Sequence, residues 1–160
     1  MNAVTIGDAE PGAALPDLDI EAIQRLLPHR YPFLMIDRVI ELRAAEGAVG
    51  IKQVTVNEPQ FQGHFPGRPV MPGVLLIEAM AQTAAALVAA SLDLGGKGLL
   101  VFFTTIEQAR FRRPVVPGDA LRLPVRKQAQ RMGIWKFEGE ALVDGQVAAS
   151  AVFSAKIMNA

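Results

Sequence analysis

The chain contains no cysteine and only two histidines. The missing cysteine excludes disulfide bonds, a thiol nucleophile and thiolate metal sites, and it is compatible with a reducing cytoplasm. The two histidines, His29 and His64, lie too far apart in the sequence for the usual spacing of metal ligands. Glycine-rich phosphate loops, dinucleotide fingerprints and the GxSxG nucleophile motif are missing as well. We therefore expect an activity that needs no metal and no cofactor.

An excess of charge of either sign is also lacking, because 16 lysines and arginines balance 16 aspartates and glutamates. A neutral chain has no global field that attracts nucleic acid or an anionic membrane, so a charged partner has to meet a local patch. The first residues lack the basic region of a signal peptide and contain acidic residues and prolines. We expect residues 1–16 to be a flexible tail and residues 17–160 to be one domain of a cytoplasmic protein with no nucleic-acid partner.

The longest apolar segment runs from residue 72 to residue 92, and its only polar side chains are Glu78, Gln82, Thr83 and Ser91. A helix that is apolar on nearly every face has to be surrounded by other structure. Its length also suits a membrane span, but the high alanine content, the acidic Glu78 and the lack of flanking basic residues argue against one. We predict a buried core helix and no membrane span.

The remaining elements are predicted from apolar alternation and from turn residues. Asp144-Gly145, for example, is the two-residue signal of a type I′ hairpin. A single antiparallel sheet around the apolar helix satisfies both the helix and the one-sided strands, which gives an α+β fold. The predicted segments are a helix over 17–27, strands over 33–42 and 48–56, an irregular or helical turn over 57–63, and strands over 99–111, 120–130, 134–143 and 146–157.

Chemically useful groups cluster around the predicted start of the long helix. His64 lies in a turn made stiff by glycines and prolines, and Pro72 suits the first helical position. The N–H of Gly73 is a free donor of the first turn, where the helix dipole stabilises negative charge on a carbonyl oxygen. Glu78 follows in an apolar stretch, where desolvation favours a protonated carboxyl group that can act as a general acid. Gln82, four residues further, shares the face of Glu78 and can orient its carboxyl group.

Together these groups would supply a base, an acid and an oxyanion donor beside an apolar slot. Proton abstraction next to a carbonyl, with loss of a group from the neighbouring carbon, needs those three parts. Simpler interpretations remain open. His64 can be a hydrogen-bonding turn residue, Glu78 a structural carboxylate paired with an arginine such as Arg110, and His29 a brace for its loop. The arginines at residues 110–113 can be a solvated strand end or a contact for an acidic partner.

Four ordered segments of the chain match one known family. They are LPHRYPFLMIDRV at 27–39, VNEPQFQGHFPGRPVMPGVLLIEAMAQ at 56–82, ARFRRPVVPGD at 109–119 and ALVDG at 141–145. With these segments the chain resembles the bacterial (3R)-hydroxyacyl-acyl carrier protein dehydratases of type II fatty acid synthesis, the non-isomerising branch of the hot-dog-fold dehydratases. The resemblance spans almost everything after residue 16.

The resemblance implies a hot-dog fold, in which a curved antiparallel sheet wraps around one long helix, and a dehydration that uses no cofactor. His64 would remove the C2 proton of a 3-hydroxyacyl thioester. Glu78, directly or through water, would protonate the leaving 3-hydroxyl group to give a trans-2-enoyl product, while Gly73 would donate to the thioester carbonyl. The acyl tunnel would be lined by Phe65, Val74, Ile77, Phe102 and Phe103.

The implied partner is an acyl carrier protein whose phosphopantetheine arm enters past Arg110 and Arg112. In the family, the two catalytic side chains of one site come from different protomers, which implies a homodimer with shared sites and commonly a trimer of dimers. Glu78 stands where the isomerising relatives carry aspartate, so we expect dehydration without isomerisation. A dehydratase that also isomerises and a hot-dog thioesterase are the alternatives. Phe102 and Thr104-Thr105 depart from the commonest family sequence and bear on substrate length.

Overall fold

A computed structural model of the chain describes residues 9–159. Within this range, two α-helices, six strands and one short 3₁₀ turn follow one another. In chain order they are α1 (Ile20–Leu26), β1 (Arg38–Arg43), β2 (Gly47–Gln53), the 3₁₀ turn (Pro59–Gln62), α2 (Gly73–Ser91), β3 (Leu99–Phe111), β4 (Ala120–Arg131), β5 (Ile134–Val143) and β6 (Gln146–Asn159).

The strands form one antiparallel sheet in the order β1-β2-β4-β5-β6-β3. Helix α2 packs against this sheet and contacts β1, β2, β4, β5 and β6. Met80 and Leu87 of α2 are fully buried and belong to the same hydrophobic core as Leu121 of β4 and Phe153 of β6. The α+β hot-dog architecture implied by the resemblance is therefore confirmed.

The sheet approaches α2 closely at two glycines. A Cβ atom at Gly139 of β5 would lie 2.9 Å from the Met80 sulfur, and one at Gly50 of β2 would overlap with the Thr83 hydroxyl group. The Thr83 hydroxyl is already engaged, because it donates to the carbonyl of Ala79 at 2.9 Å. The missing side chains at these two positions thus let the backbone of the sheet pack directly on the helix.

The strands after α2 agree closely with the predicted segments, but the first strand does not. We predicted a strand over 33–42, whereas β1 begins at Arg38. The N–H of Phe33 donates to the carbonyl of Arg30 at 2.7 Å, and the N–H of Met35 donates to the Gln82 side chain at 2.8 Å. These donors are engaged elsewhere and cannot join the sheet, so residues 29–37 form a loop tied to α2.

Both helices begin later than their predicted starts. Helix α1 begins at Ile20 because Asp19 is its N-cap and accepts a hydrogen bond from the N–H of Ala22 at 2.8 Å. Helix α2 begins at Gly73, so Pro72 is its N-cap and not, as we predicted, its first helical residue. Gly73 consequently occupies the first position of the helix, where the backbone N–H has no helical partner.

Residues 12–18 run alongside the outer strand β1. The N–H of Gly12 donates to the carbonyl of Ala44 at 2.8 Å, and that of Leu15 to the carbonyl of Leu42 at 3.0 Å. These bonds protect an edge of the sheet that would otherwise be open. The tail predicted over 1–16 overlaps with this segment, and residues 1–8 lie outside the described residues.

Helix α2 is long and apolar enough to cross a membrane, with a mean hydropathy of 1.7 over its most apolar window. However, 72% of that window is buried within the protein itself. Ala86 and Val88, for example, have no exposed surface. The packing therefore identifies α2 as the predicted core helix.

Candidate active site

The turn that carries His64 is held by hydrogen bonds at both ends. The N–H of His64 donates to the carbonyl of Gln60 in the 3₁₀ turn at 3.0 Å, and the carbonyl of His64 accepts from the N–H of Val70 at 2.9 Å. Phe65 and Arg68 close the loop between them through reciprocal backbone bonds of 3.1 and 2.9 Å. The imidazole stacks on the Phe65 ring, with 4.0 Å between the ring centroids. His64 is thus held in place, as the Gly/Pro-rich sequence predicts.

The His64 ring has a defined hydrogen-bond partner. Its Nδ1 lies 2.6 Å from the carbonyl oxygen of Val70. Because a carbonyl oxygen only accepts hydrogen bonds, Nδ1 has to carry the proton of the neutral ring. The lone pair of Nε2 is then free to take up a proton, which is the arrangement of a general base.

A buried ion pair supports the chain just before this turn. Nζ of Lys52 lies 2.8 Å from Oε2 of Glu58, and their side chains are only 6% and 18% exposed. Glu58 also accepts from the Thr55 N–H at 3.0 Å and from the Gln60 amide at 2.9 Å. Burial by itself raises the pKa of Glu58, but the hydrogen bonds from Lys52, Thr55 and Gln60 outweigh burial and hold the pKa below its ordinary value. Since Gln60 also bonds to the His64 backbone, the pair ties the turn to β2.

Gln82 orients Glu78 on helix α2. Its Nε2 donates to Oε1 of Glu78 at 2.7 Å, as the spacing of four residues predicts. The same Nε2 donates to the carbonyl of Phe33 at 2.7 Å, and the amide oxygen accepts from the N–H of Met35 at 2.8 Å. These two backbone groups define which end of the buried amide is the donor. Gln82 therefore has to present an N–H to Glu78.

The carboxyl group of Glu78 is less buried in the chain than its sequence context suggests. Its side chain is 27% exposed, and its Oε1 lies 3.5 Å from Nε2 of His29. Arg110, which we considered as a structural partner, instead lines a separate groove with Arg126 and Glu138. The contacts of Glu78 are therefore an amide and an imidazole, and not a guanidinium.

His29 is the site residue that sequence reasoning missed, because we expected it to brace its own loop. No spacing signal connects it with Glu78, and the two meet only because the loop before β1 folds against α2. Burial lowers the pKa of His29, the Glu78 carboxylate acts in the opposite direction, and the Arg30 guanidinium adds to the lowering. The net shift is downward, so His29 is a neutral imidazole near neutral pH.

A small cavity adjoins these side chains. Its volume is about 20 Å³, which is room for about one water molecule and too little for an acyl chain. Among the described residues, His64 does not contribute to its wall. A slot for a larger substrate is therefore incomplete within residues 9–159 of one chain. The lining residues are His29, Glu78, Ala81, Gln82, Ala85, Val101, Phe103 and Ala155.

The apolar residues predicted to line an acyl tunnel fall into three groups. Phe103 is part of the cavity wall beside Glu78. Ile77 is 4% exposed and belongs to the core. Phe65, Val74 and Phe102 are 53%, 70% and 54% exposed. Large apolar side chains exposed on neighbouring elements are typical of a contact surface or a ligand groove.

Gly73, the predicted oxyanion donor, begins α2 beneath the ring of Phe111. A Cβ atom at Gly73 would lie 2.7 Å from this ring, so the glycine lets the Phe111 ring pack directly on the helix start. The free N–H at the positive end of the helix can stabilise negative charge on an approaching oxygen. The last residue of β3, Phe111, therefore packs against the first residue of α2, which is the predicted oxyanion donor.

Arg110 and Arg112 lie at the end of β3, and both are exposed. They line a groove of about 850 Å³, and the acidic residues Glu138 and Glu140 line the same groove. The charge of the groove is therefore mixed, and a contact of the two arginines with a carrier protein stays a prediction.

Comparison with known proteins identifies the relatives of this chain. A family model described as a FabA-like domain matches residues 27–152. A protein named 3-hydroxyacyl-[acyl-carrier-protein] dehydratase FabZ from Gluconobacter oxydans (strain 621H) is 54% identical over 158 residues, which cover 99% of this chain and 94% of the relative. The protein of that name from Rhizobium rhizogenes (strain K84) is 59% identical over 145 residues, 91% of each chain.

A solved structure supports the fold. The dehydratase heterocomplex ApeI:P from Xenorhabdus doucetiae contains a chain that superposes with a TM-score of 0.69 at 20% sequence identity. The match covers 86% of this chain and 91% of the other. At this identity the likeness concerns the fold alone.

The fold defines a protein of the hot-dog class, and its candidate site combines a held histidine with a carboxylate on the core helix. Within that class, the family model and the relatives that match over nearly the whole chain identify the branch. The chain belongs to the FabZ family of 3-hydroxyacyl-[acyl-carrier-protein] dehydratases, and the resemblance seen in the sequence is confirmed.

Proposed function

We propose that the protein dehydrates (3R)-hydroxyacyl-acyl carrier protein to trans-2-enoyl-acyl carrier protein in fatty acid elongation. The observation that carries the proposal is the ring of His64, whose Nδ1 is bonded to the Val70 carbonyl so that Nε2 is left as the base. The names of relatives that are more than half identical supply the substrate class.

In the proposed reaction, Nε2 of His64 removes a proton from C2 of the acyl thioester. The negative charge that develops on the thioester oxygen is stabilised by the N–H of Gly73 at the positive end of α2. Glu78 in its protonated form gives its proton to the 3-hydroxyl group, directly or through water, and the C3–O bond breaks to release water. Return of the C2 proton from His64 through solvent to Glu78 resets the site.

We propose that each site of a homodimer combines His64 of one protomer with Glu78 of the partner subunit. Two observations support this arrangement. The cavity beside Glu78 is water-sized, and His64 is not among the described residues that line it. Strand β3 lies at the edge of the sheet and exposes apolar side chains, including Phe102 and Ile106, at 54% and 49%. Exposed strand edges favour pairing with a second copy. The larger assembly is a trimer of dimers.

The remaining assignments follow from this dimer. The acyl chain would lie along Phe65, Val74 and Phe102, whose exposed surfaces the dimer would cover. The phosphopantetheine arm of the carrier protein would enter past Arg110 and Arg112, which can pair with acidic groups of the carrier.

The protein would work in the cytoplasm, as its lack of cysteine allows.

The test is the absorbance of the conjugated enoyl thioester formed from a 3-hydroxyacyl carrier substrate. We expect wild-type protein to turn over, and His64→Ala and Glu78→Gln to lose at least ~100-fold in rate while staying folded and oligomeric. Glu21→Gln makes the same carboxyl-to-amide change on the exposed face of α1 and should keep the wild-type rate.

The same assay separates the alternative activities. Release of free thiol without an enoyl product would replace the dehydratase proposal by a thioesterase. Appearance of a cis-3-enoyl product would show that the protein also isomerises. If wild-type protein gives neither an enoyl product nor free thiol, the proposal is wrong.

A further inference from the structure

His29 and Gln82 approach the same oxygen atom of Glu78. Nε2 of Gln82 donates to Oε1 at 2.7 Å, and Nε2 of His29 lies 3.5 Å from that same Oε1. Gln82 comes from the same helix, whereas His29 comes from the loop before β1. The contact with His29 is longer than an ordinary hydrogen bond, and contacts of this kind often tighten when the substrate binds.

The surroundings of His29 decide which ring nitrogen carries its proton. Nδ1 is buried and has no hydrogen-bond partner among the residues that the structure describes. A proton on Nδ1 would leave a buried donor unpaired, which costs about 1–3 kcal/mol. A proton on Nε2 instead lies on the side of the ring nearer to Oε1 of Glu78, which is 3.5 Å from Nε2. The neutral ring therefore favours the Nε2–H form.

The loop holds the His29 ring in this orientation. The Arg30 guanidinium donates to the carbonyls of Gln24, Leu27 and His29 itself at 2.8, 2.9 and 2.7 Å, which ties the loop to the end of α1. The side chain of His29 is 20% exposed and lines the cavity beside Glu78. The Arg30 bonds thus hold the loop backbone, and the ring itself is mostly covered by its neighbours.

From this geometry we infer that His29 is a positioning residue for Glu78. With Gln82, it supplies two donors to Oε1, so that Oε1 only accepts and Oε2 is the oxygen that carries the acidic proton toward the substrate. The inference rests on the proposed general-acid role of Glu78 and adds to it the choice of oxygen. His29 acts through Glu78 and does not itself exchange a proton with the substrate.

A neutral histidine suits this role better than a charged side chain. The charged groups beside the ring are Glu78 on α2 and Arg30 in its own loop. A cation at the position of His29 would stabilise the carboxylate form of Glu78 and weaken it as an acid. A neutral N–H orients the carboxyl group without removing its proton.

The test compares two amides of the same polarity. In His29→Gln the side-chain N–H₂ reaches the place of imidazole Nε2, whereas in His29→Asn it reaches only the place of Nδ1. We expect kcat of His29→Asn to fall about tenfold with KM nearly unchanged, and His29→Gln to recover most of the wild-type kcat.

A measurement on unaltered protein keeps the inference testable if a variant does not fold. Long-range ¹H–¹⁵N spectra of the wild-type imidazoles should show the Nε2–H form for His29. An Nδ1–H ring, or an imidazolium at neutral pH, would contradict the inference. It is also contradicted if both variants keep the wild-type kcat, or if both lose kcat equally along with thermal stability.

The Glu78→Gln variant separates this inference from the proposed function. If Glu78→Gln is inactive and the His29 variants behave like wild type, only the positioning role is wrong. If Glu78→Gln remains active, the general acid is misassigned and the positioning role falls with it, whereas the dehydration itself stands or falls with the wild-type enoyl assay.

Discussion

Nδ1 of His64 lies 2.6 Å from the carbonyl oxygen of Val70, and the N–H of Val70 donates in turn to the carbonyl of His64 at 2.9 Å. One residue thus closes the turn through its backbone N–H and selects the ring tautomer through its carbonyl. The stiffness of the turn and the tautomer of the ring thus have the same structural cause. The Phe65 ring, which stacks on the imidazole, adds a side-chain contact to these two backbone bonds.

Mixing two inactive variants tests whether the sites are shared between protomers. In a dimer of one His64→Ala chain and one Glu78→Gln chain, a shared arrangement leaves one site with both residues intact. We expect a differently tagged, purified heterodimer to recover about half of the wild-type rate, because one of two symmetric sites is restored. Each variant alone should stay inactive.

A heterodimer without activity would place both residues of a site on one chain, since every site would then carry a substitution. The control is a heterodimer of wild-type and Glu21→Gln chains, which should keep the full rate.

Removal of the Gln82 amide should affect both stability and rate. Gln82→Leu leaves the buried N–H of Met35 and the carbonyl of Phe33 without their partner, which we expect to cost about 2–4 kcal/mol of unfolding free energy. It also removes a donor to Glu78, so kcat should fall more than tenfold. Urea unfolding and the enoyl assay measure the two effects, and a Gln82→Leu protein with wild-type stability would contradict the assigned contacts.

The buried pair of Lys52 and Glu58 predicts a pH-dependent stability. Because the pKa of Glu58 is lower in the folded protein, its contribution to stability is complete above the ordinary glutamate range and is lost as the pH falls through the lowered value. Glu58→Gln leaves the ammonium of Lys52 buried without a counter-charge, and we expect a loss of about 3 kcal/mol near neutral pH. Urea midpoints measured from neutral pH downward should show this difference shrinking.

A matched control for this prediction is Glu107→Gln, which breaks the exposed pair of Glu107 with Lys136. Exposed ion pairs contribute little, so this variant should unfold almost like wild type. The double variant Lys52→Met/Glu58→Gln should regain much of the stability lost in Glu58→Gln. If it does not, the loss has another cause than the unpaired ammonium.

The close approach of β2 and α2 predicts that Gly50 cannot be replaced. Gly50→Ala would drive a methyl group into the Thr83 side chain, whose Cγ2 would be only 3.0 Å away, and we expect a loss of about 1–3 kcal/mol. Thermal unfolding measures it, and the second substitution Thr83→Ala should recover part of the loss. Gly63→Ala is the control, because a Cβ atom there meets no atom within 4 Å.

Local sequence patterns were enough to predict most elements of the fold. The turn signals around Pro117-Gly118 and Asp144-Gly145 led to predicted limits for β5 that the structure reproduces, and to limits for β4 within one residue. The apolar composition of residues 72–92 was enough to predict a core helix, since such a helix has no stable place outside a core. These predictions succeed because periodicity and turn chemistry act over a few residues.

The first strand shows where local patterns fail. Residues 33–37 have the composition of a strand, but the N–H of Met35 donates its hydrogen bond to the amide oxygen of Gln82, which is far away in the sequence. A contact between distant residues cannot be read from local alternation, so the predicted strand began too early.

The sequence by itself determined which groups are candidates for the chemistry, because the histidine turn and the helix start each lie within one continuous segment. The sequence also determined that Gln82 faces Glu78, since residues four positions apart lie on the same face of a helix. The tertiary structure alone decided that His29 meets Glu78, that Val70 selects the tautomer of His64, and that the cavity beside Glu78 has room for only about one water molecule. Each of these depends on how a loop folds back in space, and the packing of the whole chain decides that.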